Sequence, residues 1–295
     1  MRFLSLVSAI LVLLASSVLA CAAESTPFSA FSVQPPDLVN GSVCLLSVHV
    51  AGNPHTVSAK WMDHQLTFSP GPRGTWLALA GVPFETKPGA YDLVLEAVME
   101  GGRTEHLTRP VTVHAAKYKT SRLTVPQKYV TPDPETLKRV EAEKEIKKAA
   151  FAHEVPALEW SGNFVAPVQS DISEAYGTNR TFNGKLATVH RGTDFRAPMG
   201  TPVHASNAGE VVLARELYYE GNCVVINHGL GFMTIYMHLS KFEVKEGDKV
   251  EKDQIIALSG GTGRVTGPHL HLAVRWSGEY LDPLRLFALR LPEHP

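Results

Sequence analysis

Behind Met1-Arg2, every position from Phe3 to Ala20 is apolar or small, and small residues gather at Ala15-Ser16-Ser17 and Ala20-Cys21-Ala22-Ala23. A short positive start, an apolar run and a small-residue exit predict a secretory signal peptide over 1–22. The run is close to the shortest that can cross a bilayer, so a retained anchor is the competing reading. No later stretch is long and apolar enough for that role.

From 27 to 115, short apolar runs are cut by turn residues. Val43-Cys44-Leu45-Leu46-Ser47-Val48-His49-Val50 ends at Gly52-Asn53-Pro54, and Val57 to Trp61 precedes Asp63-His64. Tyr91 to Met99 alternates before Gly101-Gly102, and Val111-Thr112-Val113 follows. Strands at this spacing predict a small β-sandwich, immunoglobulin-like in architecture only, since the Cys…Trp…Cys pattern is missing. His49, His55, His64, His106 and His114 share no ligand spacing. The segment is expected to fold by itself and to supply no catalytic group.

Residues 116–160 read as a linker. Asp133-Pro134 offers an N-cap with proline at the first helical position. Nine of the fourteen residues from Glu135 to Lys148 are charged, with Glu143 and Lys147 at supporting i,i+4 spacing. Leu137, Val140 and Ile146 form a thin apolar stripe, which predicts a solvated helical spacer; a partner-binding helix is the alternative.

Beyond 161 the pattern returns to strands and glycine turns. Pro202–Ala205, Glu210–Ala214, Cys223–His228, Phe232–His238, Ile255–Leu258 and His269–Trp276 are strand candidates, and Ser259-Gly260-Gly261-Thr262-Gly263 opens a flexible loop. The chain is thus expected to be mainly β, with a mostly antiparallel sheet in its C-terminal half.

Composition narrows the function. The chain has 295 residues, 44% of them hydrophobic and 19% charged, enough for a real core. Its 28 Lys+Arg and 29 Asp+Glu are balanced in both halves: 13 basic to 14 acidic over 161–295, and 15 to 15 before. Nucleic-acid binding, which needs a basic excess, is set aside. Export permits disulfides, but Cys44 and Cys223 sit in apolar runs of different predicted units and read as buried thiols.

Thirteen histidines are present, and four stand where chemistry could use them. His269 and His271 are two apart in a strand-like run, so both imidazoles project to one side. His190-Arg191-Gly192-Thr193-Asp194 pairs an imidazole with a carboxylate in a loop entering a strand. Three protein ligands and an open fourth position characterise catalytic zinc. His238 ends an alternating strand. Each element alone is a weak signal.

Together they form a specific pattern. His190-x-Gly192-x-Asp194, Tyr236-x-His238-Leu239-Ser240 and Thr262-Gly263-x-x-x-Gly267-Pro268-His269-Leu270-His271 occur in order. Tyr176-Gly177, Ala208-Gly209-Glu210-Val211, Gly221-Asn222, His228-Gly229, Gly247-Asp248-x-Val250 and Asp282-Pro283 join them. Over about 161–290 the chain resembles the LytM/lysostaphin family of zinc endopeptidases. Departures fall at Tyr176 and Thr193, where Phe and Val are common, and at Asn227, where Asp is common; none is a site position.

The resemblance implies a duplicated-hybrid-motif sheet domain with one zinc held by His190, Asp194 and His271. It implies His238 and His269 as catalytic groups beside the water, and peptide stems or cross-links of bacterial peptidoglycan as substrate. No His-Glu-x-x-His glutamate is present, so histidine must act as base or stabilise the oxyanion. His204 and His228 are expected to be structural, while fold analogy puts Arg264 and Tyr236 on the groove wall. Some relatives have lost zinc ligands and act as activators or scaffolds for other wall hydrolases. Here all five polar site residues stand, which favours the enzyme. Val18-Leu19-Ala20-Cys21 also resembles a bacterial lipoprotein signal, with Val18 and Leu19 departing from the usual residues. Lipidation at Cys21 would tether the protein in the cell envelope; ordinary cleavage would leave it soluble in the periplasm.

Overall fold

The computed structural model describes residues 26–293. The expected signal peptide over 1–22, with Cys21, lies outside the described residues. Among the described residues no helix is long and apolar enough to cross a membrane.

The N-terminal part is two facing sheets. One carries Phe28–Gln34, Val43–Val50, Thr75–Gly81 and Ser69–Pro70 in that order; the other carries Leu38–Val39, Thr104–His114, Gly89–Met99, Pro54–Trp61 and His64–Thr67. In Gly89–Met99 the alternation is realised: Leu93, Leu95, Ala97 and Met99 are buried with more exposed residues between them. Val43-Cys44-Leu45-Leu46 is instead buried at every position. One face of that strand covers the sandwich core, and the strand also touches the short helix Pro283–Phe287 of the C-terminal half. Thr75–Gly81 is buried almost throughout, so it offers no alternation to read.

The sandwich packs directly on the C-terminal half: one buried cluster runs from Leu46, Trp61 and Leu95 into Trp160, Phe232, Trp276, Leu281 and Leu286. A Cβ on Gly81 would lie 2.5 Å from Leu281 Cδ1 and 2.9 Å from Trp276 Cε3. Trp61 Nε1 donates to that same Gly81 carbonyl at 2.7 Å, and the His64 ring lies 4.7 Å from that of Trp276.

The linker helix, Pro134–Phe151, is likewise more than a solvated spacer. Asp133 caps it as expected, accepting from Thr136 N at 2.8 Å. Its inner face, however, packs on the sheet: Ala150 is buried, and Ile146 and Phe151 lie against a cluster containing Leu213, Leu217 and Cys223. Glu143 is buried, accepting from Arg139 Nε at 2.7 Å and from Tyr218 N at 2.8 Å. Lys147 therefore pairs with Glu220 rather than with Glu143.

The C-terminal sheet is antiparallel, as expected. Its order is Ile172–Glu174, Thr193–Phe195, Leu270–Trp276, Phe232–Phe242, Gly221–Asn227, Gly209–Leu217 and Lys249–Val250. Ile255–Ser259 pairs with both Phe232–Phe242 and Pro202–His204. A small second sheet joins linker strand Thr120–Leu123 in parallel to Asn179–Phe182, which pairs with Leu186–Val189. Cys44 and Cys223 are buried free thiols, and burial pushes the Cys44 thiol up to about 12.

Candidate metal centre

Strand register brings the first pair together. Asp194 stands directly opposite His271 on neighbouring antiparallel strands, and Met237 flanks His271 on the other side. His269, His271 and Ala273 line one cavity of about 810 Å³, while Leu270 and Leu272 turn into the core behind the sheet. The two-residue spacing therefore puts both imidazoles on one face, as expected.

His190 enters from the loop before Thr193–Phe195. Its Nε2 lies 3.1 Å from Asp194 Oδ1 and 3.0 Å from His271 Nδ1, and His271 Nδ1 lies 2.7 Å from Asp194 Oδ1. All three residues are buried and could hold one metal ion between them. Tetrahedral zinc with bonds of about 2.0–2.1 Å keeps its ligand atoms roughly 3.3 Å apart. Opening the triad by a few tenths of an ångström would therefore admit the ion, and the donor set fits.

Backbone carbonyls set the tautomers. A ring nitrogen facing a carbonyl oxygen must carry the proton, which leaves the other nitrogen its lone pair. His190 Nδ1 donates to Ala175 O at 3.0 Å, His238 Nδ1 to Thr262 O at 2.9 Å and His269 Nδ1 to Gly267 O at 2.8 Å. Nε2 is thereby the free nitrogen of all three rings when they are neutral. The ring centre of His238 stands 4.9 Å from that of His269 and 5.9 Å from that of His271.

His238 reaches this face by a backbone irregularity. In a regular strand, Met237 and His238 would point to opposite sides, yet both line the cavity. His238 has a φ of +63°, and its N–H donates to Glu220 O at 2.8 Å, outside the regular ladder. This left-handed residue, beside register shifts in the pairings with Gly221–Asn227 and Ile255–Ser259, returns the imidazole to the cavity.

Asp194 feels opposing influences. Burial, the largest, resists its ionisation, but hydrogen bonds and charge from His190 and His271 together hold its carboxyl well below the usual range. Burial also dominates at His238, pushing it well below an ordinary histidine, with the nearby His271 and His269 charges adding to the effect. Burial takes His271 down to about 4, against the pull of Asp194. His238 is therefore neutral near pH 7, as a proton acceptor must be.

Two residues escaped the sequence reading. Arg180 Nη2 donates to Asp194 Oδ2, and Arg180 Nε donates to Glu174 Oε2. Glu174 Oε2 in turn lies 3.4 Å from His190 Nδ1. Only the pairing of Asn179–Phe182 brings Arg180 here, and no spacing announced it. His228 is structural, as expected: it is buried, with Nδ1 2.7 Å from Ala208 O and Nε2 2.8 Å from Thr234 Oγ1. His204 lies off the site, with Nδ1 2.7 Å from Asp253 O. Arg264 lines the cavity. Tyr236 does not: it is fully buried behind the sheet, where its hydroxyl accepts from Ser206 N at 2.8 Å.

Two imidazoles and a carboxylate at the mouth of an open sheet face, flanked by two further imidazoles, are the equipment of a metallopeptidase. Residues 188–283, about a third of the chain, match Peptidase family M23. One stretch is 59% identical over 101 residues to the peptidoglycan DD-endopeptidase ShyA of Vibrio cholerae, covering 34% of this chain and 24% of that protein. The DD-carboxypeptidase/endopeptidase Mpg of Neisseria meningitidis is 43% identical over 105 residues, 36% of this chain and 24% of Mpg. The chain thus spans about a quarter of the length of these relatives. A candidate M23 peptidase of known structure from Pseudomonas aeruginosa is similar over 84% of this chain and 94% of its own, with a TM-score of 0.64 and 28% identity.

Proposed function

We propose that the protein is a zinc-dependent endopeptidase hydrolysing peptide stems or cross-links of bacterial peptidoglycan. The observation that carries this reading is the convergence of His190 Nε2, Asp194 Oδ1 and His271 Nδ1 within 3.1 Å, beside two imidazoles whose Nε2 atoms are free. The donor set of two imidazoles and one carboxylate, with a position left for solvent, suits zinc. Bound there, zinc would polarise the scissile carbonyl and acidify a water. ShyA and Mpg, named for peptidoglycan and DD-peptide bonds, support the substrate class.

His190, Asp194 and His271 are the ligands in this reading, and Arg180 keeps the second oxygen of Asp194 occupied and its carboxylate oriented. Neutral His238 takes a proton from the attacking water through Nε2 and returns it to the leaving amine. His269, whose ring stands 4.9 Å from that of His238, offers its free Nε2 as a second acceptor that orients the attacking water. The sandwich, Ig-like in architecture, contributes no group to this chemistry and braces the sheet that carries it.

The signal segment exports the chain to the cell envelope, where peptidoglycan lies, either soluble or tethered through Cys21. Fractionation of cells carrying Cys21→Ser separates these: a wild type in the membrane fraction and a soluble variant establish the tether. Digestion of purified peptidoglycan, with released termini identified by mass spectrometry, tests the activity. New amino termini that depend on zinc and vanish in His271→Ala support the reading; intact peptidoglycan after incubation with the zinc-loaded protein removes it.

A further inference from the structure

Four arginines line the cavity: Arg180, Arg191, Arg196 and Arg264. Three are accounted for. Arg180 is held by Glu174 and Asp194. Arg191 pairs with Glu85 at 3.1 Å over the ring of Phe84, and Arg196 is exposed to water. Arg264 differs from all of them. It is half-buried, with its guanidinium 4.9 Å from the ring centre of Phe182 and 4.7 Å from that of Tyr219. Among the described residues, its side chain makes no ion pair and no hydrogen bond. Lys147 takes one oxygen of the Glu220 carboxylate on the same wall; the other is buried without a hydrogen bond, and its charge reaches Arg264 only at longer range than an ion pair.

A guanidinium held by its faces over aromatic rings keeps its N–H edges free, and its planar fork matches a carboxylate. Its place is tied to the reaction centre by backbone. Arg264 N donates to Tyr219 O at 2.9 Å, the neighbouring Glu220 O accepts from His238 N, and Thr262 O accepts from His238 Nδ1. Arg264 therefore stands on the wall that carries His238, with its rotamer set by packing.

We propose that Arg264 is a substrate-carboxylate site: it grips a free carboxylate of the acidic stem peptide, displaced from the scissile bond toward the His238 side of the groove. The proposal rests on the endopeptidase reading and adds a specificity determinant to it. Arg264 takes no part in the bond cleavage itself.

The test uses the zinc-loaded mature protein and a set of uncleavable cross-linked stem-peptide analogues, one with all carboxylates free and the others with each carboxylate in turn converted to a carboxamide. Calorimetry is expected to show wild type preferring one carboxylate by about 10- to 100-fold, the range of a charge-assisted hydrogen-bonded pair. Arg264→Met, which keeps an apolar stem against Phe182 and Tyr219, should lose that preference and bind all the peptides equally. Arg264→Lys should keep part of it. With cleavable peptides, the Met variant should show a raised KM for the carboxylate form, a kcat within about threefold of wild type and unchanged zinc content. Equal affinity of wild type for every peptide overturns the site, as does a Met variant that keeps the full preference. Wild type that cleaves peptidoglycan without any carboxylate preference rejects the site and leaves the endopeptidase reading intact. Wild type that binds with the preference but cleaves nothing rejects the endopeptidase reading and retains Arg264 as a carboxylate site.

Discussion

The imidazole of His271 lies where any side chain on residue 192 would have to go: a Cβ on Gly192 would fall 2.4 Å from His271 Nε2 and 2.4 Å from the carbonyl oxygen of Leu272. The glycine between His190 and Asp194 is thus a packing requirement of His271, which arrives from a strand 77 residues after Asp194. Gly192→Ala should displace His271 or the strand beneath it. A loss of zinc affinity of at least tenfold and destabilisation of about 1–3 kcal/mol, typical of overpacking, are expected. Zinc titration and thermal unfolding check both, and wild-type values in both would show that the site can absorb a methyl group.

Arg180 makes a parallel prediction from outside the triad. Its Nη2 occupies Asp194 Oδ2, the carboxylate oxygen turned away from the imidazoles. Residues that orient metal ligands typically cost about 10–100-fold in affinity when removed. Arg180→Gln should therefore release zinc to a competing chelator about 10–100 times more readily, with His190, Asp194 and His271 all still present. Unchanged retention would mean that the two imidazoles alone fix Asp194.

His238 and His271 should separate under mutation. His238 touches the backbone carbonyl of Thr262 and offers its other nitrogen to the cavity, whereas His271 Nδ1 belongs to the ligand cluster. His238→Ala is expected to keep full zinc and lose about 10²–10⁴-fold in hydrolysis rate, the contribution of general acid–base and oxyanion groups. His271→Ala should lose both zinc and activity. Metal analysis beside peptidoglycan hydrolysis for each variant distinguishes the roles. A zinc-free His238→Ala would make that residue a ligand.

What the sequence showed, and what it hid, follow from range. His269 and His271 were legible because a period of two is a local property of a strand, and the His190 to Asp194 loop was legible as a spaced donor pair. The approach of His238 to the same face was legible only through the family pattern and not from strand periodicity, because it depends on one left-handed residue inside an otherwise regular strand. Arg180 was hidden because its partners Glu174 and Asp194 come from other strands. In the sandwich, Tyr91 to Met99 announced itself by alternation. Thr75–Gly81 did not, since a strand covered on both faces shows no period. Most consequential was the helix over 134–151, read as solvated from its charge. Buried Glu143 and the Lys147–Glu220 pair turn those charges inward onto the sheet, which no i,i+4 rule can see.

His228 gives a pH prediction. Burial is the main cause that takes it from an ordinary 6.5 down to about 4, only partly opposed by its hydrogen bond to Ala208. The unfolded chain therefore binds this proton first, and stability falls as pH drops from about 6.5 toward 4. The contribution is fully present above 6.5 and lost by about 3 kcal/mol at the low end. His228→Gln should cost stability at pH 7.5, by removing the contacts to Ala208 O and Thr234 Oγ1. It should also flatten the acid limb of the denaturation midpoint against pH. An acid limb of unchanged slope in the variant would place the titration elsewhere.

The shared core makes the last prediction, which concerns what the sandwich does for the site. Gly81 of the sandwich lies against Leu281 and Trp276, and these belong to strands next to each other in the sheet that carries Asp194 and His271. Trp276 lies at the far end of the strand that begins with Leu270 and His271. A chain starting at residue 116 would bare this contact, and re-exposing two or three large apolar side chains costs about 1.5–3 kcal/mol each. Allowing about 2–4 °C per kcal/mol for a domain of this size, the midpoint should fall by roughly 10–20 °C, with self-association through the bared apolar face. Zinc should still bind below that midpoint, because all three ligand residues lie beyond residue 116. Gly81→Val in the full chain, which drives a side chain into Leu281, should shift the midpoint in the same direction without removing a residue. If the shortened chain stays monomeric with an unchanged midpoint, the sandwich contributes nothing to the sheet's stability and the original expectation of a free-standing unit returns. If it instead loses zinc at low temperature, the contact reaches along the Leu270–Trp276 strand to His271, and the sandwich is a structural part of the metal centre.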